Sequence, residues 1–271
     1  MPELPEVETM VRKLRTGLRD SKIQSFHAYW PSQVLPSIRK LKQKIVGRSI
    51  IRLTRRGKYV IFHLDPGEYF LVHMGMSGRL EFQTQRSLPA HVRAKWYLNN
   101  NKCLLFCDAR KFGRIQHLEQ LEELEQKLGL EPLSPKFTPT KLAQTLNSHS
   151  RQLKPLLLEQ KAVAGLGNIY SDETLYRARI HPLTPANQLS RIEINRLHAN
   201  IQRVLRQAIR LCGTSFDWAY PGGKMQTQLR VYGRGGEPCL RCGRSIQIIR
   251  VCQRSTHFCP NCQKLSPRAT R

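Results

Sequence analysis

Three places in this 271-residue chain hold residues whose types and spacing could do chemistry. The first is the opening MPELPEVE, where Pro2 is followed by Glu3 and, three residues on, Glu6. Small residues at position two permit removal of the initiator methionine, which would expose a proline secondary amine. An α-amino group titrates near ~8, so a fraction is neutral at cellular pH. A secondary amine that attacks a sugar carbon forms an iminium, which is cationic without a further proton. That cation is an electron sink suited to elimination. Glu3 and Glu6, spaced i and i+3, share a helix face beside it. The same acids also complement the positive end of a helix dipole, and the residues alone favour this helix-cap reading.

The second place is the C-terminal pair of CxxC motifs, Cys239/Cys242 and Cys259/Cys262, with sixteen residues between them. Two such knuckles can wrap four thiolates around one Zn²⁺. Four protein ligands leave no open position, so the expected zinc is structural, and it would stabilise a tail too small to fold on its own core. Cys252 and His257 lie between the knuckles and rank lower as ligands. Arg250, Arg254 and Lys264 flank the site and would present charge to phosphates. The third place is Gly165-Leu166-Gly167-Asn168 at a predicted helix start. Backbone N–H groups and the dipole favour a phosphate there, while an ordinary helix cap needs nothing more. Without a preceding strand or a third glycine it is not a dinucleotide fingerprint.

Composition says what these groups serve. Lys and Arg number 45 against 19 Asp and Glu, a net charge of +26. Self-repulsion on that scale calls for a polyanionic partner, and nucleic acid fits best because phosphate contacts release counterions. An anionic membrane surface is the rival. No apolar run is long enough to span a bilayer, and no single amphipathic helix gathers the charge. The acidic start is the reverse of a signal peptide. The chain is thus expected to be soluble and cytoplasmic, and four of its eight cysteines read as zinc ligands rather than disulfides.

Positioning elements can be read along the chain. Leu4, Val7, Val11, Leu14 and Leu18 recur at helical spacing and predict a helix over 3–19. Short β-branched or aromatic runs follow from IVGRSIIRLTRRG to RIQHL, separated by Gly, Pro or Asn, and predict a β-sandwich or flattened barrel. LEQLEELEQKLGL reads as an acidic, solvated helix. Pro132, Pro135 and Pro139 mark a hinge. Helices are expected at 139–147, 153–160, 169–179 and 190–212, with Pro155 in a first turn and Gly213 as a stop. The tail from about 229 has hairpin-like spacing.

The segments MPELPEVET, RGKYVIF, HMGMSGRL, DARKFG, VAGLGNIYSDE, RVYGRGGEPC and QRSTHFCPNCQ, in this order, resemble the formamidopyrimidine-DNA glycosylase family from the first residue to roughly the last ten. The resemblance implies an α+β chain in three parts. These are an N-terminal catalytic β-sandwich with a leading helix (1–132), a helix–two-turn–helix DNA-binding domain (133–228) and a C-terminal zinc-finger hairpin (229–271). It implies a monomer that acts on duplex DNA with oxidised bases or abasic sites, held between the lobes. Pro2 would be the Schiff-base nucleophile, Glu3 the general acid at the sugar, Glu6 its support and Lys58 a catalytic-site lysine. His73, Asn168, Tyr232 and Arg254 would grip phosphates, and His91 is placed with the DNA contacts. Met76, Arg110 and Phe112 resemble the trio that fills the hole left by an everted nucleotide. Eversion costs roughly a few kcal/mol, which an apolar wedge and a guanidinium facing the orphaned cytosine offset. Lys161 sits where some members carry a lysine near the oxidised base.

One stretch departs from the pattern. Between Gly213 and Arg230 the chain looks shorter than the family's lesion-capping loop and lacks a DGKPG-like turn. An endonuclease VIII-like enzyme for oxidised pyrimidines is therefore one alternative. A non-enzymatic zinc-finger DNA-binding protein, which would need neither a free Pro2 nor Glu3, is the other.

Overall fold

The computed structural model describes residues 2–84, 88–99, 101–215 and 222–265. Helix α1 (Leu4–Leu18) begins beside Pro2 and buries Leu4, Val7, Met10, Val11, Leu14 and Leu18, the stripe the spacing predicts. Residues 21–45 carry structure that the sequence reading left unassigned. Strand β1 (Ser21–Ala28) is followed by a 3₁₀ turn (Pro31–Gln33), strand β2 (Val34–Leu35) and helix α2 (Ile38–Ile45). The predicted β runs then appear as β3 (Ser49–Arg56), β4 (Tyr59–Leu64), β5 (Glu68–His73), β6 (Arg79–Thr84), β7 (Val92–Leu98), β8 (Lys102–Cys107) and β9 (Arg114–Leu118).

These strands run in the order β2-β9-β5-β4-β3-β1-β7-β8-β6. Strand β1 pairs antiparallel with β3 through its first residues and with β7 through the rest. It is thus the corner at which one layer passes into the other, and a register shift between Ile23 and Ser25 marks the bend. The layers face each other across stacked rings. Phe62 lies on Phe70 at 4.2 Å, and Phe70 meets Trp96 of the second layer at 5.6 Å. Helix α1 touches β3, β4 and β6. At Gly17 it presses so closely on β6 that a Cβ would lie 2.5 Å from the Phe82 ring.

The acidic helix is shorter than expected. It is α3 (Glu122–Lys127), with Leu124 buried. It is not merely solvated, because both Glu125 carboxylate oxygens accept from Arg56 Nε, at 2.8 and 3.1 Å.

Packing divides the chain into two compact units, one of residues up to Gln126 and one of Lys127–Thr214 with the residues from Gly223 onward. The second unit holds α4 (Pro139–Asn147), α5 (Leu153–Leu158), α6 (Asn168–Ala178) and α7 (Arg191–Arg210), then a hairpin of β10 (Gln247–Val251) and β11 (Arg254–Phe258). Helix α7 starts on a Ser190/Glu193 capping box. It stops as expected at Gly213, whose N–H reaches the Ala208 carbonyl at 2.8 Å. Cys212 shares the left-handed stop with it, at φ 58°. In the hairpin, Cys252 and Gln253 form a two-residue turn with φ of 45° and 61°, the left-handed geometry that matches strand twist. The chain is α+β as anticipated, and among the described residues no helix is long and apolar enough to cross a membrane.

Candidate active site and nucleic-acid interface

Pro2 and Glu3 are both buried at the mouth of α1. Glu3 is the N-cap, and its backbone N–H donates to Glu6 Oε2 at 2.9 Å. The helix-cap and chemical readings therefore describe one arrangement. The capping box holds Glu3 in place, and Glu3 in turn immediately follows the residue whose amine would react. Arg55 ties this helix to the neighbouring turn. Its Nε donates to Glu8 Oε2 at 3.0 Å and its Nη1 to the Gly57 carbonyl at 3.0 Å. Gly57 and Lys58 form the β3–β4 turn, and Lys58 is buried.

Across the β4–β5 pairing, Tyr59 lies opposite His73 with ring centroids 4.8 Å apart. Burial, with the charges of Lys58 and Arg114, pushes the His73 pKa down to about 4. The ring is neutral at physiological pH. Its Nδ1 accepts from the Gly75 N–H at 3.2 Å, which leaves the proton on Nε2. His73 can therefore meet a phosphate as a neutral donor beside the Lys58 charge.

The wedge residues come from two loops. Met76 follows Gly75, whose positive φ of 61° and lack of a Cβ let it sit on the backbone of Phe112 and Gly113; a Cβ would be 2.5 Å from the Phe112 carbonyl carbon. Phe112 is 52% exposed, an unusual position for a large apolar ring. The Arg110 guanidinium lies 5.2 Å from its centroid. The structure thus brings the loop of half-buried Met76 against the loop that exposes Arg110 and Phe112. His91 is exposed at φ 65°, and its carbonyl accepts from the Asp108 N–H at 2.9 Å.

In the second unit Asn168 is the first residue of α6, with Gly167 as N-cap. Asn168 Nδ2 donates to the Ser255 carbonyl at 2.9 Å, which couples α6 to the strand that begins at exposed Arg254. Tyr232 stands 5.0 Å from the His257 ring, and its backbone N–H donates to buried Glu173 Oε1 at 3.1 Å. Glu173 Oε1 also takes the Arg230 and Val231 N–H groups, at 2.8 and 2.9 Å. Lys161 is exposed in the segment joining α5 and α6.

Sequence reasoning missed the buried network beneath these residues. Lys154 Nζ meets Asp172 Oδ1 at 2.6 Å and donates to Thr256 Oγ1 at 2.8 Å, both charged side chains being fully buried. Asp172 Oδ2 accepts from the backbone N–H of His257 at 2.9 Å and lies 3.2 Å from its Nδ1. His257 is thereby committed away from the metal cluster. A signal was present in LKPLLL, where a lysine stands among leucines at helical spacing.

The four knuckle cysteines converge, with all ligand atoms within 4.8 Å of one another. Cys239 and Cys262 sulfurs are 3.9 Å apart and those of Cys242 and Cys259 3.5 Å. Tetrahedral Zn–S bonds of ~2.3 Å need sulfurs about 3.8 Å apart, so the set fits zinc. Backbone N–H groups of Arg241 and Cys262 point at Cys239 and Cys259 Sγ, each at 3.4 Å. The Tyr176 hydroxyl lies 3.3 Å from Cys239 Sγ. Burial and the nearby Cys239 sulfur raise its pKa, so it stays protonated and donates. Four sulfurs close the coordination sphere, and the zinc is structural.

Fold and site together define a basic α+β protein with a buried Pro2 beside a helix capped by Glu3, an exposed Phe112 ring next to Arg110, and a four-cysteine finger. Residues 1–115 match the Formamidopyrimidine-DNA glycosylase N-terminal domain, 128–218 the Formamidopyrimidine-DNA glycosylase H2TH domain, and 236–265 the zinc finger found in FPG and IleRS. The formamidopyrimidine-DNA glycosylase of Chloroflexus aurantiacus is 43% identical over 97% of this chain and 98% of its own. That of Lactococcus lactis subsp. lactis is 40% identical over 97% and 100%. A solved complex of the Lactococcus lactis protein with abasic-site DNA superposes with a TM-score of 0.91, at 40% identity, covering 97% of this chain and 99% of that one. A second, with DNA containing N7-benzyl-Fapy-dG, gives the same TM-score and identity over 97% and 100%. The chain belongs to the formamidopyrimidine-DNA glycosylase family.

Proposed function

We propose that this chain is a bifunctional DNA glycosylase and abasic-site lyase that excises oxidised purines, 8-oxoguanine and formamidopyrimidines, from duplex DNA in base excision repair. The observation that carries this reading is the buried Pro2–Glu3 pair, with Glu3 fixed by its 2.9 Å backbone bond to Glu6. With Met1 removed, the Pro2 nitrogen attacks C1′ and the C1′–base bond breaks. Glu3 protonates the sugar ring oxygen, the ring opens, and the amine loses its proton as the iminium forms. The iminium acidifies the adjacent C–H. Loss of that proton expels the 3′ phosphate, and a second elimination expels the 5′ phosphate. Lys58 and neutral His73 hold the phosphate charge at the sugar, while Asn168, Tyr232, Arg254 and His91 grip the backbone around it. Met76, Phe112 and Arg110 fill the vacated stack, and Arg110 faces the orphaned base.

The solved relatives hold damaged or abasic-site DNA, which favours the oxidised-purine reading over the pyrimidine alternative. The capping segment runs through 216–221, outside the described residues. Lesion range is therefore measured on duplexes holding 8-oxoguanine, formamidopyrimidine, thymine glycol or dihydrouracil. The deciding experiment is borohydride reduction during reaction with an 8-oxoguanine:cytosine duplex. A covalent adduct mapped to Pro2 is expected; an adduct on Lys58, or none, overturns the assignment.

A further inference from the structure

Asp108 opens the loop that carries Arg110 and Phe112, yet its own side chain is fully buried. A buried carboxylate demands donors, and this one has them from three separate segments. Oδ1 accepts from Ser77 Oγ at 2.6 Å. Oδ2 accepts from Gln33 Nε2 at 3.0 Å and from the Gly113 N–H at 2.8 Å. The Ser77 hydroxyl, while donating to Asp108, accepts the Arg110 backbone N–H at 3.0 Å. The Asp108 carbonyl accepts Arg93 Nε at 2.8 Å, and its N–H donates to His91.

The arrangement is economical in acceptors. Ser77 lies one residue from Met76, Gly113 one residue from Phe112, and the Ser77 bridge ends on Arg110 itself. Half-buried Met76 and exposed Arg110 and Phe112 are thus each within one residue of an atom fixed by this carboxylate. Gln33, buried at 1% exposure, anchors the carboxylate from the far side. None of these partners needs a charge; they need two oxygens that accept and never donate. Asparagine, with one oxygen and one NH₂, cannot serve both sides.

We propose that Asp108 is the positioning residue of the wedge: its buried carboxylate sets the Met76 loop and the Arg110–Phe112 loop relative to each other, and so sets how strictly the base opposite the lesion is read. This rests on the proposed function, in which Arg110 faces that base. Arg110 is exposed; its backbone is held through Ser77 at 3.0 Å and its guanidinium lies 5.2 Å from the Phe112 ring, whose own loop Asp108 fixes at Gly113. A wedge held loosely would still enter the stack but would distinguish cytosine from adenine poorly.

The test uses full-length, zinc-loaded protein, unchanged and as Asp108→Asn and Ser77→Ala. Single-turnover excision of 8-oxoguanine opposite cytosine and opposite adenine gives a discrimination ratio. Cleavage at a preformed abasic site and thermal unfolding are measured alongside. Asp108→Asn is expected to lower the ratio about tenfold while abasic-site cleavage falls less than about threefold, because no base must be everted there. Ser77→Ala, which removes the link to Arg110 and one donor to Asp108 Oδ1 but keeps the Gln33 and Gly113 bonds, should lower the ratio about threefold. Adding Asp108→Asn to Arg110→Ala should cost no further discrimination, since both act through one group. An unchanged ratio in folded protein, or equal losses on lesion and abasic substrates, overturns the proposal. If Asp108→Asn does not fold, an unchanged ratio in Ser77→Ala overturns it alone. Unaltered protein that excises no 8-oxoguanine, or Arg110→Ala with its ratio intact, overturns the functional reading instead.

Discussion

Arg55 Nε sits 3.0 Å from Glu8 Oε2, and the two side chains are only 7% and 16% exposed. This pair joins the helix that begins beside Pro2 to the turn that carries Lys58. Burial alone would raise the Glu8 pKa, but Arg12 and Arg55 together hold it below the ordinary carboxylate value. Glu8→Gln should lower stability by about 1–3 kcal/mol, because the Arg55 guanidinium, only 7% exposed, loses a charged acceptor at 3.0 Å. It should also slow covalent trapping at abasic DNA, since Lys58 and the N-terminus lose their common brace. Calorimetry and borohydride trapping on the same samples check this; full trapping at normal stability would show that the brace is dispensable.

Glu3→Gln separates the chemical steps. Base excision should fall by at least about a hundredfold, the scale of a lost general acid. Strand cleavage at preformed abasic sites should survive in part, because their sugar already samples an open aldehyde. The capping geometry tolerates the amide, so the melting temperature should move little. Equal loss of both activities would assign Glu3 to structure.

An added residue before Pro2 should abolish trapping while DNA binding remains, since the amine is lost and the basic surface is not. A borohydride adduct from such a protein would place the nucleophile elsewhere.

Acid should weaken the β-sandwich through two histidines. His63 and His73 have pKa values lowered from 6.5 to about 4, chiefly by burial and then by neighbouring cations. Unfolded chains take up these protons at higher pH than the folded protein does. The stabilisation is therefore complete above pH 6.5 and is lost as pH falls towards 4. It amounts to a few kcal/mol at most for the pair, with residual solvent access at His73 reducing its share. His63→Gln, which keeps a partner for Thr54 Oγ1 in place of the 2.7 Å bond, should flatten the dependence of the urea midpoint between pH 6.5 and 4. An unaltered slope would exclude His63 as its source.

Chelation should release one zinc per chain and weaken duplex binding, because Arg254 and the Asn168–Ser255 bond depend on a folded hairpin. Log affinity for undamaged duplex should also fall linearly with log salt, with a slope of about −0.9 per phosphate neutralised. Metal analysis and salt titration of apo and zinc-loaded protein check both. Unchanged affinity after complete removal would detach the finger from binding.

Periodicity made much of this architecture readable before any coordinates. The α1 stripe, the runs from β3 to β9 and helices α4 to α7 appear within a few residues of where apolar spacing puts them. Residues 21–45 were missed for physical reasons. Strand β1 breaks its alternation at the bulge near Ile23–Ser25, and α2 has only two buried residues, Leu41 and Ile45. The site divides the same way. The four cysteines announce themselves by type and spacing, whereas Pro2 and Glu3 read on their own as a helix cap and gain a proposed chemical role only through the family resemblance. Residues that hold others in place, such as Asp108 and Lys154, look like ordinary surface charges until burial is known.

The Lys154–Asp172–His257 network has a consequence for how this protein can change by recombination. Family descriptions place a border between residue 218 and residue 236. Side chains cross that border in both directions. Asp172 on α6 receives His257 from the hairpin, Lys154 on α5 reaches Thr256, and Gln263 Nε2 returns to the Ile180 carbonyl at 2.9 Å. A hairpin transplanted to another scaffold would keep its metal but leave these partners behind, and the donor would retain a lysine–carboxylate pair opened to water. The two segments are therefore a single heritable piece. A hairpin exchanged without α5 and α6 keeps these contacts only where the recipient supplies its own partners for Thr256, His257 and Gln263.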